Sequence, residues 1–228
     1  MKQLSLPVLL NAKMRLSNFV GAKNNQIVTL INTLFNDTHS NVVVISGDKS
    51  SGKTHLLQGC TFAAMDKQLS AVYVDIKEEE LPTDFLAQLS TNDWVCIDNI
   101  EDANNTQQQE LFDLYNQIKH TQTKLIISTH HLPAELNLLK DLKTRLSLAV
   151  NFTLENLTDE QKTAILQSKM TDKNINIDPK IYPYLFKHYS RDLNDLLNAI
   201  NQLDKASLQR KSNITVPLVK QVLDFDND

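Results

Sequence analysis

Apolar residues follow two rhythms along this chain. Four short runs are apolar almost without interruption: NVVVIS (41–46), AVYVDI (71–76), DWVCID (93–98) and KLIIST (124–129). Short runs rich in β-branched residues read as strands buried on both faces. Between them, apolar positions recur at helical spacing over 53–67, roughly 83–89, and 105–120, where Leu111, Phe112, Leu114, Tyr115 and Ile118 mark one face. Strands alternating with helices predict a parallel sheet with helices on both faces. After about residue 150 the strand pattern stops. TDEQKTAILQSKM opens on Thr158 as a cap with acids in the first turn, and DPKIYPYLFKHY on Asp178 as cap with Pro179 at the first helical position. A third helix begins at Ser190 and repeats Leu193, Leu196, Leu197, Ile200 and Leu203; TVPLVKQVL closes the chain. The expected organisation is an N-terminal peptide (1–10), an α/β domain (11–155) and a small helical domain (156–228).

Composition narrows the function. Hydrophobic residues make up 41% of the 228, enough for a sizeable core, and only 4 are Gly, which disfavours long disordered stretches. The net charge of −4 disfavours a protein that grips nucleic acid mainly through phosphates. The two cysteines, Cys60 and Cys96, lie inside apolar runs and read as buried thiols; the lack of a disulfide framework suits a reducing compartment. No apolar run approaches the ~20 residues of a membrane span. Ser5 and Pro7 interrupt the first apolar stretch, so a signal peptide is not expected. The expected setting is the cytoplasm, with no membrane contact.

GDKSSGKT (47–54) fits G-x-x-x-x-G-K-[ST] between a buried strand and a helix. Gly47 and Gly52 let the backbone approach phosphate, and the loop amides and helix N-terminus offer donors. Gly47, Asp48, Lys49, Ser50, Ser51, Gly52, Lys53, Thr54 and the following His55 are therefore candidate nucleotide-binding residues. ADP or ATP with Mg²⁺ is the expected ligand. Lys53 would reach the outer phosphates, Thr54 would ligate the metal, and Asp98, closing WVCIDNIE, would hold it through water. The residue after Asp98 is Asn99. An amide can orient water but cannot take its proton, so nucleotide is expected to bind well and to be hydrolysed slowly. Glu101, two residues on, is expected to point elsewhere. Ser128 and Thr129 end the fourth run where a polar group could touch the outer phosphate, although a plain turn would read much the same. His130 and His131 diverge as neighbours do, and read as a surface pair.

These features together resemble the AAA+ ATPases. Within them, QLSLPV, FVGAKNNQI, VCIDNIE, LFDLYNQI, LKTRLS and NQLDKAS resemble the bacterial initiator DnaA and, more closely, its homologues of the Hda family. The resemblance spans nearly the whole chain. It implies that Phe19 and Val20 lie near the nucleotide base. It implies that Arg191 reaches back from the helical domain to the phosphates, and that Arg145 acts as a finger in a neighbouring subunit's site. An ion pair with Asp141 is the structural alternative for Arg145, and Lys143 the competing cation. The full GKT departs from Hda proteins, in which this loop can be degenerate.

QLSLPV resembles the peptide by which bacterial proteins dock on the β subunit of the DNA polymerase sliding clamp. Leu4, Leu6 and Val8 would enter apolar pockets, Gln3 would fix the register, Pro7 would limit the ordering cost, and Ser5 lies between. A strand tucked against the core is the alternative. The resemblance thus implies a clamp-anchored regulator that stimulates ATP hydrolysis on DnaA and prevents re-initiation. DNA would be met only through the clamp, and a homodimer is one assembly it allows. An autonomous AAA+ ATPase, such as a helicase or clamp loader, is the rival reading, against which Asn99 speaks. An initiator fragment is a third, weakened by the acidic charge and by the absence of a helix-turn-helix pattern after the helical region.

Overall fold

The structure, a computed structural model, describes residues 10–19, 25–39, 41–77, 81–173, 175 and 177–223. Gln3, Leu4, Ser5, Leu6, Pro7, Val8 and Val20 lie outside them. The chain divides into two compact units, residues 1–156 and 157–228.

The first unit is built on five parallel strands, β1 (Asn41–Ser46), β2 (Ala71–Asp75), β3 (Trp94–Asp98), β4 (Lys124–Thr129) and β5 (Val150–Thr153), in the order β2-β3-β4-β1-β5. Its helices are α1 (Asn25–Leu34), α2 (Lys53–Asp66), α3 (Asn105–Ile118) and α4 (Lys140–Ser147). Strand period two divides the core into two layers. Val44, Val74, Val95, Ile97, Leu125 and Ile127 pack with Leu111, Leu114 and Ile118 of α3 and Leu142 and Leu146 of α4. Val43, Ile45, Tyr73, Trp94, Cys96 and Ile126 pack with Ile27 and Ile31 of α1 and Leu56, Leu57 and Cys60 of α2. Both cysteines are buried, and burial pushes the Cys60 thiol well above its usual pKa.

Four elements depart from the sequence reading. The edge strand β5 was not among the four strands expected, and its exposed Val150 and half-buried Phe152 give no continuous apolar run. The expected helix at 83–89 is a 3₁₀ segment at Leu86–Thr91. Asp84 adopts a left-handed φ of 62°, which an α-helix cannot continue through. The buried Glu110 carboxylate of α3 fixes this bend by accepting the Asp84 and Leu86 amides, each at 2.9 Å. Helices α1 and α4 were not among the elements expected.

The second unit holds α5 (Asp159–Asp172), α6 (Ile181–His188), α7 (Leu193–Arg210) and α8 (Val216–Val222). Leu166, Leu185, Leu196, Ile200, Leu203 and Val219 form its core. Thr158 caps α5 as expected, in a reciprocal box with Gln161. Asp178 instead closes a turn through the Lys180 amide, so α6 starts at Ile181. Asp192, not Ser190, caps α7, accepting the Asn194 amide at 2.8 Å and the Asp195 amide at 3.3 Å.

Glu110→Ala removes at once the acceptor of the buried Leu86 amide and that of the Asp84 amide. It should lower unfolding free energy by roughly 2–4 kcal/mol, read from the urea midpoint, with the secondary structure of the folded state retained.

Candidate functional site

The carboxyl ends of β1, β3 and β4 meet at one edge of the sheet, where open parallel sheets place their ligands. From β1 the chain enters a tight loop and then α2. A side chain at Gly47 would have its Cβ 2.8 Å from Ser51 Oγ and 3.1 Å from the Leu154 carbonyl. Gly52 caps α2 at a left-handed φ of 101°, and its Cβ would lie 3.0 Å from Phe19 Cε2. Both positions need glycine, for space at the first and for conformation at the second. Ser51 Oγ is buried in the loop and has no hydrogen-bond partner among the described residues. Lys53 is buried, and its Nζ donates to the carbonyls of Gly47 (2.6 Å) and Asp48 (2.8 Å). Burial lowers the pKa of its ammonium, opposed by the charges of Glu101, Asp98 and Asp48. Lys49 is exposed, Ser50 is half-buried, and Asp48 accepts from Asn156 Nδ2 at 2.6 Å.

Asp98 is the fully buried hub of the site. Thr54 Oγ1 donates to its Oδ2 at 2.7 Å and the Tyr73 hydroxyl to the same oxygen at 2.8 Å, while Ser128 Oγ donates to Oδ1. Side chains from α2, β2 and β4 thus converge on one carboxylate. Burial, then the negative charge of Asp98, push the Tyr73 phenol far above its ordinary pKa, so it remains a donor. Ser128 also accepts the Asn99 amide at 3.1 Å. Thr129 turns away and donates to the His131 carbonyl at 3.1 Å. Asn99 sits at a left-handed φ of 59°, its Nδ2 bound to Asp75 Oδ1 at 2.8 Å.

Two expectations at this edge need correction. Glu101 does not point away from the site: it acts on Lys53, and its Oε1 pairs with His130 Nδ1. His130 is therefore no member of a surface pair; it is half-buried, and the exposed His131 goes separately to Glu135 at 4.0 Å. Tyr73 was missed as well. A phenol inside a strand buried on both faces must find a hydrogen-bond partner, and that was its signal.

Phe19 is buried against Gly52 and meets the His55 ring edge-on, with centroids 5.4 Å apart. His55 Nε2 lies 3.0 Å from the Arg15 carbonyl and 2.9 Å from Asn18 Oδ1, tying α2 to the segment before α1. Arg145 stands half-buried in the last turn of α4; among the described residues its guanidinium forms no ion pair, with Asp141 or any other acid. In the second unit, the exposed Arg191 pairs with Asp159 at 3.5 Å, and its carbonyl accepts from Lys162 at 2.7 Å.

The donor set fits a phosphate-bearing ligand with a divalent cation. Lys53 and the orphaned Ser51 hydroxyl suit phosphate oxygens, and Thr54 with Asp98 forms an oxygen pair of the kind Mg²⁺ takes. No cluster of three or more His, Cys, Asp or Glu able to hold a metal occurs among the described residues, nor does a helix long and apolar enough to cross a membrane.

Two family models match the chain: "Bacterial DnaA ATPAse domain" over residues 10–153 and "Hda, lid domain" over 159–223. An uncharacterized protein of Haemophilus influenzae is 35% identical over 98% of this chain and 99% of its own length. Among solved structures, domain III of the Thermotoga maritima replication initiation protein DnaA superposes with a TM-score of 0.79 at 19% identity, covering 96% of this chain and 99% of that one. AMPPCP-bound DnaA from Aquifex aeolicus gives 0.71 at 20% identity over 89% and 69%. A Thermotoga maritima RuvB variant gives 0.70 at 16% over 92% and 71%. Likenesses at these identities establish the fold: a five-stranded parallel AAA+ sheet followed by a helical lid.

Tyr73→Phe deletes one donor to Asp98 and should lower unfolding free energy by about 1 kcal/mol at neutral pH. The wild-type phenol binds its proton more tightly folded than unfolded. Its share of stability is therefore complete below the ordinary tyrosine pKa of about 10 and declines above it. Urea titrations at rising pH should show a shallower alkaline decline in the variant.

Proposed function

Because this chain belongs to the Hda-like, DnaA-homologous AAA+ family, we propose that it is a nucleotide-bound regulator, anchored to the sliding clamp, that stimulates ATP hydrolysis on DnaA and so prevents re-initiation. The observation that carries the proposal is an assembled phosphate cradle beside an amide where an acid would serve hydrolysis. Lys53, Thr54 and Asp98 are in place, while Asn99 is committed to Asp75. Such a site holds nucleotide and turns it over slowly, far below the ~1–10³ s⁻¹ typical of enzymes. ADP or ATP with Mg²⁺ occupies it, with Phe19 on the base side and residues 47–54 around the phosphates.

The productive chemistry takes place on the partner. Guanidinium keeps its charge at all working pH values and can bridge phosphate oxygens as charge develops. Arg145 enters DnaA's site in this role, and its lack of an ion pair among the described residues supports that use. Fingers of this kind contribute ~10³–10⁵ in rate at related sites. Residues 3–8 dock on the β clamp, through which the protein meets DNA. The working place is the cytoplasm, and a homodimer is compatible with this scheme.

Conversion of DnaA-bound ATP to ADP, measured with clamp loaded on DNA, tests the proposal. Arg145→Ala should abolish the stimulation while clamp and nucleotide binding persist. Joint Gln3→Ala and Leu6→Ala substitution should abolish clamp co-elution and leave nucleotide binding intact. Full stimulation by the Arg145 variant would move the finger to another residue; retained co-elution would return the peptide to a packed strand.

Calorimetry tests the cradle separately. Lys53→Ala should remove tight Mg-ATP and Mg-ADP binding, and unchanged affinity would take the loop out of the account.

A further inference from the structure

Hydrolysis of a phosphoanhydride by water needs a group to take the water's proton, and Asn99 cannot serve. The backbone at Asn99 does more than substitute an amide. Its left-handed turn leads into a short 3₁₀ segment, Ile100–Asp102, and this returns the next carboxylate, Glu101, to the same edge of the sheet. Both Glu101 oxygens are shielded from solvent. Oε1 is in ion-pair contact with His130 Nδ1, and among the described residues neither oxygen accepts a hydrogen bond. A carboxylate oxygen without a donor is costly to bury, so the site is built for a donor that arrives with the ligand. Glu101 also exerts the largest charge effect on the Lys53 ammonium, ahead of Asp98 and Asp48, which places it within the electrostatic reach of the cradle.

We propose that Glu101 is the proton acceptor for this chain's own slow hydrolysis of bound nucleoside triphosphate, with His130 as the positioning residue that holds its carboxylate. The inference rests on the nucleotide-binding reading above. Glu101 Oε2 accepts a proton from a water molecule. The water oxygen forms its bond to the terminal phosphorus as the bond from that phosphorus to the bridging oxygen breaks. The bridging oxygen keeps the electron pair and departs on the diphosphate, Lys53 offsetting the charge that develops. The protonated carboxyl then returns its proton to the released phosphate. Nucleoside triphosphate and water thus become nucleoside diphosphate and dihydrogen phosphate, with Glu101 regenerated and no further reactant. Slowness follows from the geometry: the carboxylate is offset by two positions from Asn99, and one of its oxygens is held by His130.

The experiment combines calorimetry of Mg-ATP and Mg-ADP with single-turnover hydrolysis, full-length chain in excess over radiolabelled ATP. Glu101→Gln should leave the fold and Mg-ADP affinity unchanged and bind Mg-ATP as tightly as the parent or more so, since a negative charge near the cradle is gone. Its single-turnover rate should fall by ~10²–10⁴. Glu101→Asp should recover part of that rate. His130→Ala should lower the rate less than Glu101→Gln, and should lower it no further in the Glu101→Gln background if it acts only through Glu101. Three outcomes overturn the inference: a parental rate in Glu101→Gln, loss of nucleotide binding in that variant, or a parent that binds Mg-ATP and never hydrolyses it. A parent that binds no nucleotide overturns the underlying reading instead, and calorimetry of the parent alone distinguishes the two.

Discussion

The first unit depends on surrounding one wholly buried carboxyl group with donors. Asp98 has no exposure to solvent, and a buried carboxylate is tolerated only where donors surround it. Three hydroxyls do so, from Thr54, Tyr73 and Ser128, and each rides on a different element. For the three to converge, α2 must start at Thr54's neighbour Lys53, β2 must pair with β3 so that Asp75 aligns with Asp98, and β4 must flank β3 on the other side. The order of the sheet and the position of the phosphate loop are thus conditions for the same hydrogen-bond shell. Both apolar layers of the core serve it by fixing strand register from either face.

The loop around Lys53 obeys a related constraint. The Lys53 ammonium donates to the Gly47 and Asp48 carbonyls. Any anion that takes the ammonium must exchange those bonds for better ones. A charged phosphate does so and a neutral ligand does not, which gives the site a preference by charge before shape enters.

The sheet's interior was legible because β1 to β4 are buried on both faces and write continuous apolar runs. The edge strand β5 was not, since Val150 faces outward and only Phe152 contributes inward. Ile27, Ile31 and Leu34 of α1 do recur at helical spacing, but over a single short helix; α4 shows only Leu142 and Leu146. At the site, the loop and Asp98 could be read from their spacing along the chain. The partners of Tyr73, Glu101 and His130 could not, because they are set by the fold: β2 beside β3 takes Tyr73 to Asp98, and the left-handed residue at position 99 precedes the segment that pairs Glu101 with His130. Asn tolerates that conformation better than most residues, so the kink had a sequence signal. What it would carry back to the site had none.

The two thiols give the first unit an internal clock. Cys60 lies on the helix that follows the phosphate loop and Cys96 on the strand that ends in Asp98, both wholly shielded. An alkylating reagent attacks thiolate, and the folded protein offers neither access nor, at Cys60, a readily ionised sulfur. Modification must then wait for the sheet and α2 to part. When reclosing is fast, its rate measures how often that core opens; any ligand that binds only the closed form slows it in proportion to the binding it contributes.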